Sequence, residues 1–347
     1  MMGVSPKGSF VAKADLLNIV EIAYHVELDD AAWLAALAEA VLPHLGEGFG
    51  VAAFEYYRPG ESLPEVVQWC HLGIPKKLAA LYPTIFQKMD PEIRQRPFRM
   101  GPCITGSQMM GLRHGFLDEP HMKQYAQKFG MYDSVWITAA EPSGRGCGFH
   151  AGRPRLTRAS SAQIRQWGRI AAHLSNAVRL RHAMKVVRPG MAIPEPEAIL
   201  DPSGKIHDAT GEARSERARD LLRRAVRMIE KSRGPLRKKD PDKSLASWKA
   251  LVDGRWSLVD QIEQNGQRYI VARENEPTAQ GPDVLTKRQK EIVGYAQLGH
   301  HDKLIAYDLG ISPSTVRVQL FKAKAKLGVR SRKELLEVCR RAAPNVR

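Results

Sequence analysis

Apolar residues recur along the chain at two different periods, and the alternation between them divides it into segments. Leu16, Leu17, Val20 and Tyr24 fall at three- and four-residue steps and predict a first helix; Asp30 can cap a second that carries Trp33, Leu34, Leu37 and Val41. FGVAAFEYY (49–57), a Pro59-Gly60 turn and LPEVVQWCHL (63–72) read instead as a pair of strands. Helical stretches follow near 76–89 and 119–129, then a second hairpin from DSVWITAAE (133–141), the turn Pro142-Ser143-Gly144 and GCGFHAG (146–152). A long helix is expected over about 160–185, where Ile164, Trp167, Ala171, Leu174 and Val178 keep helical spacing. After the Pro-rich link RPGMAIPEPEA (188–198), AILDPSGKIHDA (198–209) contains a tight turn and 212–231 a helix with Leu221, Leu222, Ala225, Val226 and Ile229. Residues 255–274 read as a hairpin around Asn265-Gly266. RGPLRKKDPDK (233–243) reads as a solvated loop, and ENEPTAQGPD (274–283) as a polar linker that lets the following module move.

Residues 285–341 carry the clearest punctuation. Thr286 with Gln289 forms a capping box for a helix through about Leu298, and Gly299 ends it. A short helix follows from about Asp302 to Leu309 and closes at Gly310. Ser312 caps a third helix with Pro313 at its first position and Gly328 at its end; Ser331 with Glu334 opens a fourth through about Arg340. Two helices joined across Gly310-Ile311-Ser312 make a helix-turn-helix pattern. On the third helix, Val316, Leu320, Ala323 and Leu327 share one stripe, which predicts the packed face. Ser314, Val318, Phe321, Lys322 and Ala325 lie opposite, flanked by Arg317, Gln319, Lys324 and Lys326, and no acidic residue occurs between Ser312 and Lys333. A solvated face would mix Glu with the Lys; cations straddling a narrow stripe suit a helix in a major groove.

Charge now acquires a location. The 347 residues hold 53 Lys and Arg against 37 Asp and Glu, a net charge of +16. Residues 281–347 hold 14 basic and 6 acidic side chains, half of the excess in a fifth of the length, as expected of a module that meets nucleic-acid phosphates. The 43% apolar content excludes a mainly disordered chain. No window is apolar enough to cross a membrane and the first residues lack a signal-peptide pattern, so a soluble cytoplasmic protein without membrane contact is expected. Cys70, Cys103, Cys147 and Cys339 are scattered, with no metal-ligand spacing, and read as ordinary buried or half-buried thiols, with a redox or ligand role for Cys103 or Cys147 as the alternative.

The C-terminal segment resembles the DNA-binding domain of LuxR-type transcriptional regulators. The resemblance rests on Leu285-Thr286-Lys287-Arg288, Glu291-Ile292, Lys303-Leu304-Ile305-Ala306, Leu309-Gly310-Ile311-Ser312, Thr315-Val316-Arg317, Lys326-Leu327-Gly328-Val329 and Ser331-Arg332-Lys333-Glu334-Leu335. It implies that Asp302, Ile305, Ala306, Leu309, Gly310, Ile311, Val316 and Leu320 build the helix-turn-helix. It also implies that Lys303, Ser314, Thr315 and Lys322 meet phosphates, that Arg317, Val318 and Phe321 enter the major groove, and that Leu335, Leu336 and Val338 form a dimer contact. Gln319 and Phe321 depart from the family pattern, which commonly has His and a polar or basic residue there; a phenyl ring suits a thymine methyl.

By layout alone, residues 1–188 are similar to a GAF-type sensory domain and 195–275 to a small PAS-like α+β domain, followed by a linker (276–284) and the four-helix domain (285–341). The expected fold class is therefore multidomain α+β with an all-α C-terminal module. A small-molecule effector would lie among Tyr56, Trp69, Tyr82, Phe86, Phe98 and Trp136, although any one of these aromatics could equally be core. Tyr82-Pro83 and Asp90-Pro91 carry a faint resemblance to acyl-homoserine-lactone domains, but the aromatic spacing around them differs.

The expected function is a sequence-specific, DNA-binding transcription regulator under the control of upstream sensory modules. It would act on double-stranded DNA as a homodimer; RNA polymerase and a small-molecule effector are further partners compatible with that role. A sigma-factor-like promoter-recognition protein is the alternative, since ISPSTVRVQLFKAKAKL also resembles a promoter-reading helix-turn-helix, but the upstream hairpins argue against it; an acyl-homoserine-lactone-type quorum-sensing regulator is a further alternative. The first 130 residues do not read as a phosphorylated receiver domain. No Gly-rich phosphate loop, nucleophile elbow or metal-ligand cluster occurs, so no enzyme, cofactor or metal is expected.

Overall fold

The structure, a computed structural model, describes residues 15–58, 62–185, 195–262 and 266–342. Helices α1 (Leu16–Ala23) and α2 (Asp30–Leu45) open the chain; the N-cap of α2 is Asp29, one residue before the expected Asp30, and its carboxylate accepts the Ala32 N–H at 2.8 Å. Strands β1 (Val51–Tyr57) and β2 (Glu65–Leu72) pair antiparallel as the alternation predicts, while the Pro59-Gly60 turn lies outside the described residues. Short helices α3 (Lys76–Ala79), α4 (Tyr82–Lys88) and α5 (Pro91–Gln95), strand β3 (Cys103–Thr105), and helices α6 (Gly106–Met110) and α7 (Pro120–Phe129) lead to the hairpin of β4 (Asp133–Ala140) and β5 (Arg145–Arg153). The sheet has the order β2-β1-β5-β4-β3 and is antiparallel throughout.

Two layers pack on this sheet. On one face, Val51, Ala53, Ile137 and Phe149 meet α1, α2 and the long helix α8 (Ser161–Lys185) in the main core. On the other, Phe54, Tyr56 and Trp136 lie under the inserted helices α3–α7. Glycine in β5 makes that second layer possible: a Cβ on Gly148 would sit 2.7 Å from the Phe54 ring, so a larger residue would expel it.

Strands β6 (Ala198–Leu200) and β7 (Ile206–Ala209), helices α9 (Glu216–Arg233), α10 (Pro235–Lys239) and α11 (Pro241–Ser247), and strands β8 (Trp256–Ile262) and β9 (Arg268–Glu274) form a second antiparallel unit of order β7-β6-β9-β8. Asn265, in the predicted turn, lies outside the described residues. The basic run 233–243 is not a solvated loop but the end of α9, all of α10 and the start of α11. Its two arginines are claimed from afar: Arg237 pairs with Asp15 at 2.6 Å and Glu21 at 2.8 Å, and Arg233 with Glu21 and Asp260, while Lys238, Lys239 and Lys243 stay exposed. These pairs fasten α9 and α10 to α1, and the apolar cores of the two units are continuous.

Helices α12 (Lys287–Gln297), α13 (Asp302–Asp308), α14 (Pro313–Leu327) and α15 (Arg332–Arg341) complete the chain, with boundaries within a residue or two of the predicted ones. The capping box of Thr286 and Gln289 is formed, and Ser312 and Ser331 cap α14 and α15.

The segment 274–283, expected to let this module move, is held instead. Asn275 is buried and its side-chain amide donates to the Asn176 carbonyl and the Ser257 hydroxyl, while its oxygens accept from Arg179. Glu276 pairs with Arg255 and Lys287. Contact continues along α13, which packs on α8. Gly310, in the left-handed region at φ 63°, packs so tightly on the second unit that a Cβ would fall 1.9 Å from the Leu251 carbonyl oxygen.

Candidate nucleic-acid interface and sensor cavity

The packed face of α14 is the predicted one: Val316, Leu320 and Ala323 are buried and Leu327 half-buried. Asp302 of the motif pairs with Arg332, and Ile305, Ala306 and Leu309 are buried in the bundle, so α13 supports α14 rather than facing solvent. Opposite the packed stripe, Ser314, Thr315, Arg317, Val318, Phe321 and Lys322 are all exposed. Phe321 is 68% exposed and Val318 49%, so neither turns inward. At the N-terminus of α14 the Ser312 hydroxyl lies 2.7 Å from that of Ser314 and 2.8 Å from that of Thr315, and accepts the Thr315 N–H. Three hydroxyls at a helix N-terminus, with cations one and two turns on, make this edge favourable to an anion and leave an exposed apolar stripe beside it. Lys303 stands exposed at the start of α13.

One expected dimer contact is corrected. Leu335 is fully buried within the four-helix bundle beside Cys339, so it holds α15 to its neighbours; Leu336 is half-buried and Val338 remains exposed.

Between the sheet and the inserted helices lies a cavity of about 30 Å³, room for roughly one water. Trp69, Tyr82 and Trp136 are among its lining. Tyr56 and Phe98 do not; their rings pack edge to face 4.6 Å apart in the neighbouring core. The Phe86 side chain lies outside the described residues. The remaining lining includes Met89, Met109, Met110, Met122 and Met131, together with His150, whose Nδ1 is 3.0 Å from the Tyr82 hydroxyl. Burial, with Arg153 and His71 nearby, pushes the His150 pKa down to about 3, so the ring is neutral. Outside, Met89, Met110 and Met122 also line a groove of about 330 Å³. Asp90 faces that groove and caps α5, accepting the Glu92 N–H at 2.7 Å, so it does not meet Tyr82 in the cavity. The methionines come from four separate segments, which is why no sequence period announced them.

Cys103, Cys147 and Cys339 are buried and Cys70 half-buried. Burial pushes the Cys103 thiol up to about 12 and raises Cys147 well above its usual range, which keeps both protonated and unreactive. Among the described residues, no group of His, Cys, Asp and Glu is arranged to hold a metal, and no helix is long and apolar enough to cross a membrane.

A capped, cation-flanked helix held on a second helix across a tight glycine turn defines a helix-turn-helix DNA-binding module. Residues 283–339 match the family of bacterial regulatory proteins, luxR family, and that stretch is a domain of this family. No curated protein matches the chain. Among solved structures, the chain is similar to SdiA of Escherichia coli in complex with octanoyl-rac-glycerol, at 12% identity and a TM-score of 0.31, covering 91% of this chain and 90% of that one. It is also similar to the N-acylhomoserine lactone-dependent LuxR family transcription factor CepR2 of Burkholderia cenocepacia (19%, TM-score 0.29, 51% and 95% covered). A phycoerythrobilin-bound GAF domain from a cyanobacterial phytochrome matches at 10% and a TM-score of 0.34, over 49% of this chain and 98% of that one. This chain itself has a mixed α+β architecture with a helical C-terminal domain.

Proposed function

We propose that the chain is a sequence-specific transcription regulator in which α14 reads the major groove and the upstream α+β units set the state of the helix-turn-helix. The observation that carries this reading is the open face of α14: Arg317, Val318, Phe321 and Lys322 all point to solvent, although α13 is docked on α8. Docking therefore leaves the reading helix uncovered. A single module spans a short site, so two copies on paired half-sites are the geometric expectation, with the exposed Val338 available to a partner. The test is binding-site selection followed by affinity measurements over a range of salt. Arg317→Ala should weaken the selected site by about 1–3 kcal/mol and relax specificity, and Lys303→Ala should weaken all sequences and lower the salt slope by about 1. Phe321→Lys should change the selected base at one A·T step; identical selected sites for Arg317→Ala and Phe321→Lys would refute the assignment of α14.

The effector part of the reading rests on the methionine wall. Met side chains are unbranched and adaptable, and Met89, Met110 and Met122 separate the inner cavity from the outer groove. Their displacement would merge the two into a space within the roughly 300–1,000 Å³ of small-molecule sites. The inner end is apolar with a neutral His150–Tyr82 pair, while Lys88, Asp90, Glu119, His121 and Gln124 line the outer groove, which suits a largely apolar ligand whose polar end lies outward. An uncharged apolar dye such as Nile red should bind the wild-type protein and lose affinity in Met110→Trp, where the larger ring fills the passage; unchanged dye binding would count against a ligand site here.

A further inference from the structure

A second cleft lies where three parts of the chain meet. It measures about 420 Å³ and is walled by the loop before β3, by α8, by the end of α11 with Lys249, and by α13 with the turn to α14. Arg165, Arg169, Lys249 and Lys303 all line it, and no Asp or Glu does. Of the four, Arg169 is half-buried and Arg165, Lys249 and Lys303 are exposed; by contrast, Arg233, Arg237, Arg255 and Arg268 elsewhere each hold at least two carboxylates. Among the described residues none of the four cleft cations forms an ion pair. Arg169 reaches the Asp242 main-chain carbonyl at 3.4 Å, while the Asp242 carboxylate is taken by Gln166. Desolvation and the neighbouring Arg169 both hold the Lys249 ammonium below its usual pKa, the mark of like charges gathered without a counterion.

We infer that this cleft is a binding site for a small phosphate-bearing molecule of about mononucleotide size. Pro102, Leu304 and Ile311 supply an apolar wall for the body of such a ligand, and the volume lies within the usual range for small-molecule sites. A duplex, whose major groove alone is about 12 Å wide, cannot enter a space of this size and could touch only the cations at its rim. Two of the cations reach the DNA-binding module: Lys249 Nζ lies 5.3 Å and the Arg169 guanidinium 5.9 Å from the centre of the Tyr307 ring. Tyr307 belongs to α13, and its hydroxyl meets the Leu245 carbonyl and His173 Nε2, both at 2.8 Å. A phosphate drawn between Arg169 and Lys249 competes with Tyr307 for them and so bears on the docking of α13. The binding itself does not depend on the DNA-reading role; only this consequence does.

The test is calorimetric titration of the full chain with adenosine 5′-monophosphate, using adenosine as the uncharged control. The nucleotide should bind at one site per chain, and Arg169→Ala with Lys249→Ala should weaken it by about tenfold or more through loss of charge-assisted contacts. Ala246→Glu, which sets a carboxylate in the wall, should weaken it similarly at an unchanged melting midpoint. Arg317→Ala should leave nucleotide binding intact, so failure of the DNA reading and failure of this site are distinguishable. No nucleotide binding, binding equal to that of adenosine, or undiminished binding in both cleft variants would overturn the proposal.

Discussion

Between pH 6.5 and 5 the protein should lose stability as the pH falls, and His173→Gln should remove about one proton's worth of that slope, roughly 1.4 kcal/mol per pH unit at its steepest. His173 is fully buried where α8 meets the second unit and α13. Its Nε2 is 3.0 Å from the Trp248 carbonyl and 2.8 Å from the Tyr307 hydroxyl, and its Nδ1 is 3.2 Å from the Tyr24 hydroxyl. A neutral ring satisfies this setting, donating from Nε2 and accepting at Nδ1; a charged ring finds no carboxylate among these partners. Burial accordingly pushes its pKa down to about 3, against a tendency of the Trp248 carbonyl to raise it. The unfolded chain takes up the proton near pH 6.5 and the folded chain does not until about pH 3, so the unfolded state is favoured progressively through that window. His150 behaves alike, and burial lowers His44, His71, His182 and His301 in the same direction. The informative quantity is therefore the difference in slope between wild type and variant, measured by urea unfolding above the range where carboxylates titrate. Equal slopes would show that His173 is charged or exposed in the folded protein. Because His173 touches Tyr307, the same acid range should loosen α13 from α8 before the whole chain unfolds, visible as earlier amide exchange in α13.

The local grammar of the chain was readable and its long-range bonds were not. Caps and glycines located α12–α15 because each signal acts within a few residues: Ser312 bonds Thr315, and Gly328 ends the helix it follows. The same locality exposes the α14 face, since spacing alone separates Val316 from Phe321. Where the deciding partner is distant, sequence reasoning failed. Asn275 sits in a polar stretch with every mark of a linker, yet its partner Arg179 is 96 residues away. Arg237 reads as part of a solvated basic run, yet Glu21 lies 216 residues upstream. Of the aromatics proposed for the cavity, Tyr56 differs from Trp136 only in its position along the sheet, which β-strand alternation does not specify. The cation-lined cleft was beyond reach for the same reason: Arg165, Lys249 and Lys303 belong to three segments that only the fold brings together.

Glu141→Ala should destabilise the protein by about 3–5 kcal/mol, the cost of leaving a buried charge without its partner. Glu141 follows β4 and is 2% exposed; Arg179 projects from the middle of α8 and is 8% exposed. Their Nη1–Oε2 distance is 3.1 Å. The other guanidinium positions are also used: Nε donates to Asn275 Oδ1 at 2.9 Å, Nη2 to the Asn275 carbonyl at 2.9 Å and to Asn176, and Nη1 approaches the Tyr295 hydroxyl at 3.5 Å. One ion pair thus joins the first sheet, α8, the segment leading to the DNA-binding module, and α12 within it. Deleting the carboxylate strands the cation among neutral acceptors, whereas replacing both partners, Glu141→Leu with Arg179→Met, removes the desolvation cost along with the attraction and should recover much of the lost stability. The double variant separates energy from communication. If the network serves only stability, amide exchange in α12 should return to wild type with the melting midpoint. If it also holds the module in place, the double variant should regain its midpoint while α12 and residues 274–283 stay less protected, because neither Leu nor Met can bond Asn275 or Tyr295. The second outcome is expected, since Arg179 places two of its donors on Asn275 and only one on Glu141.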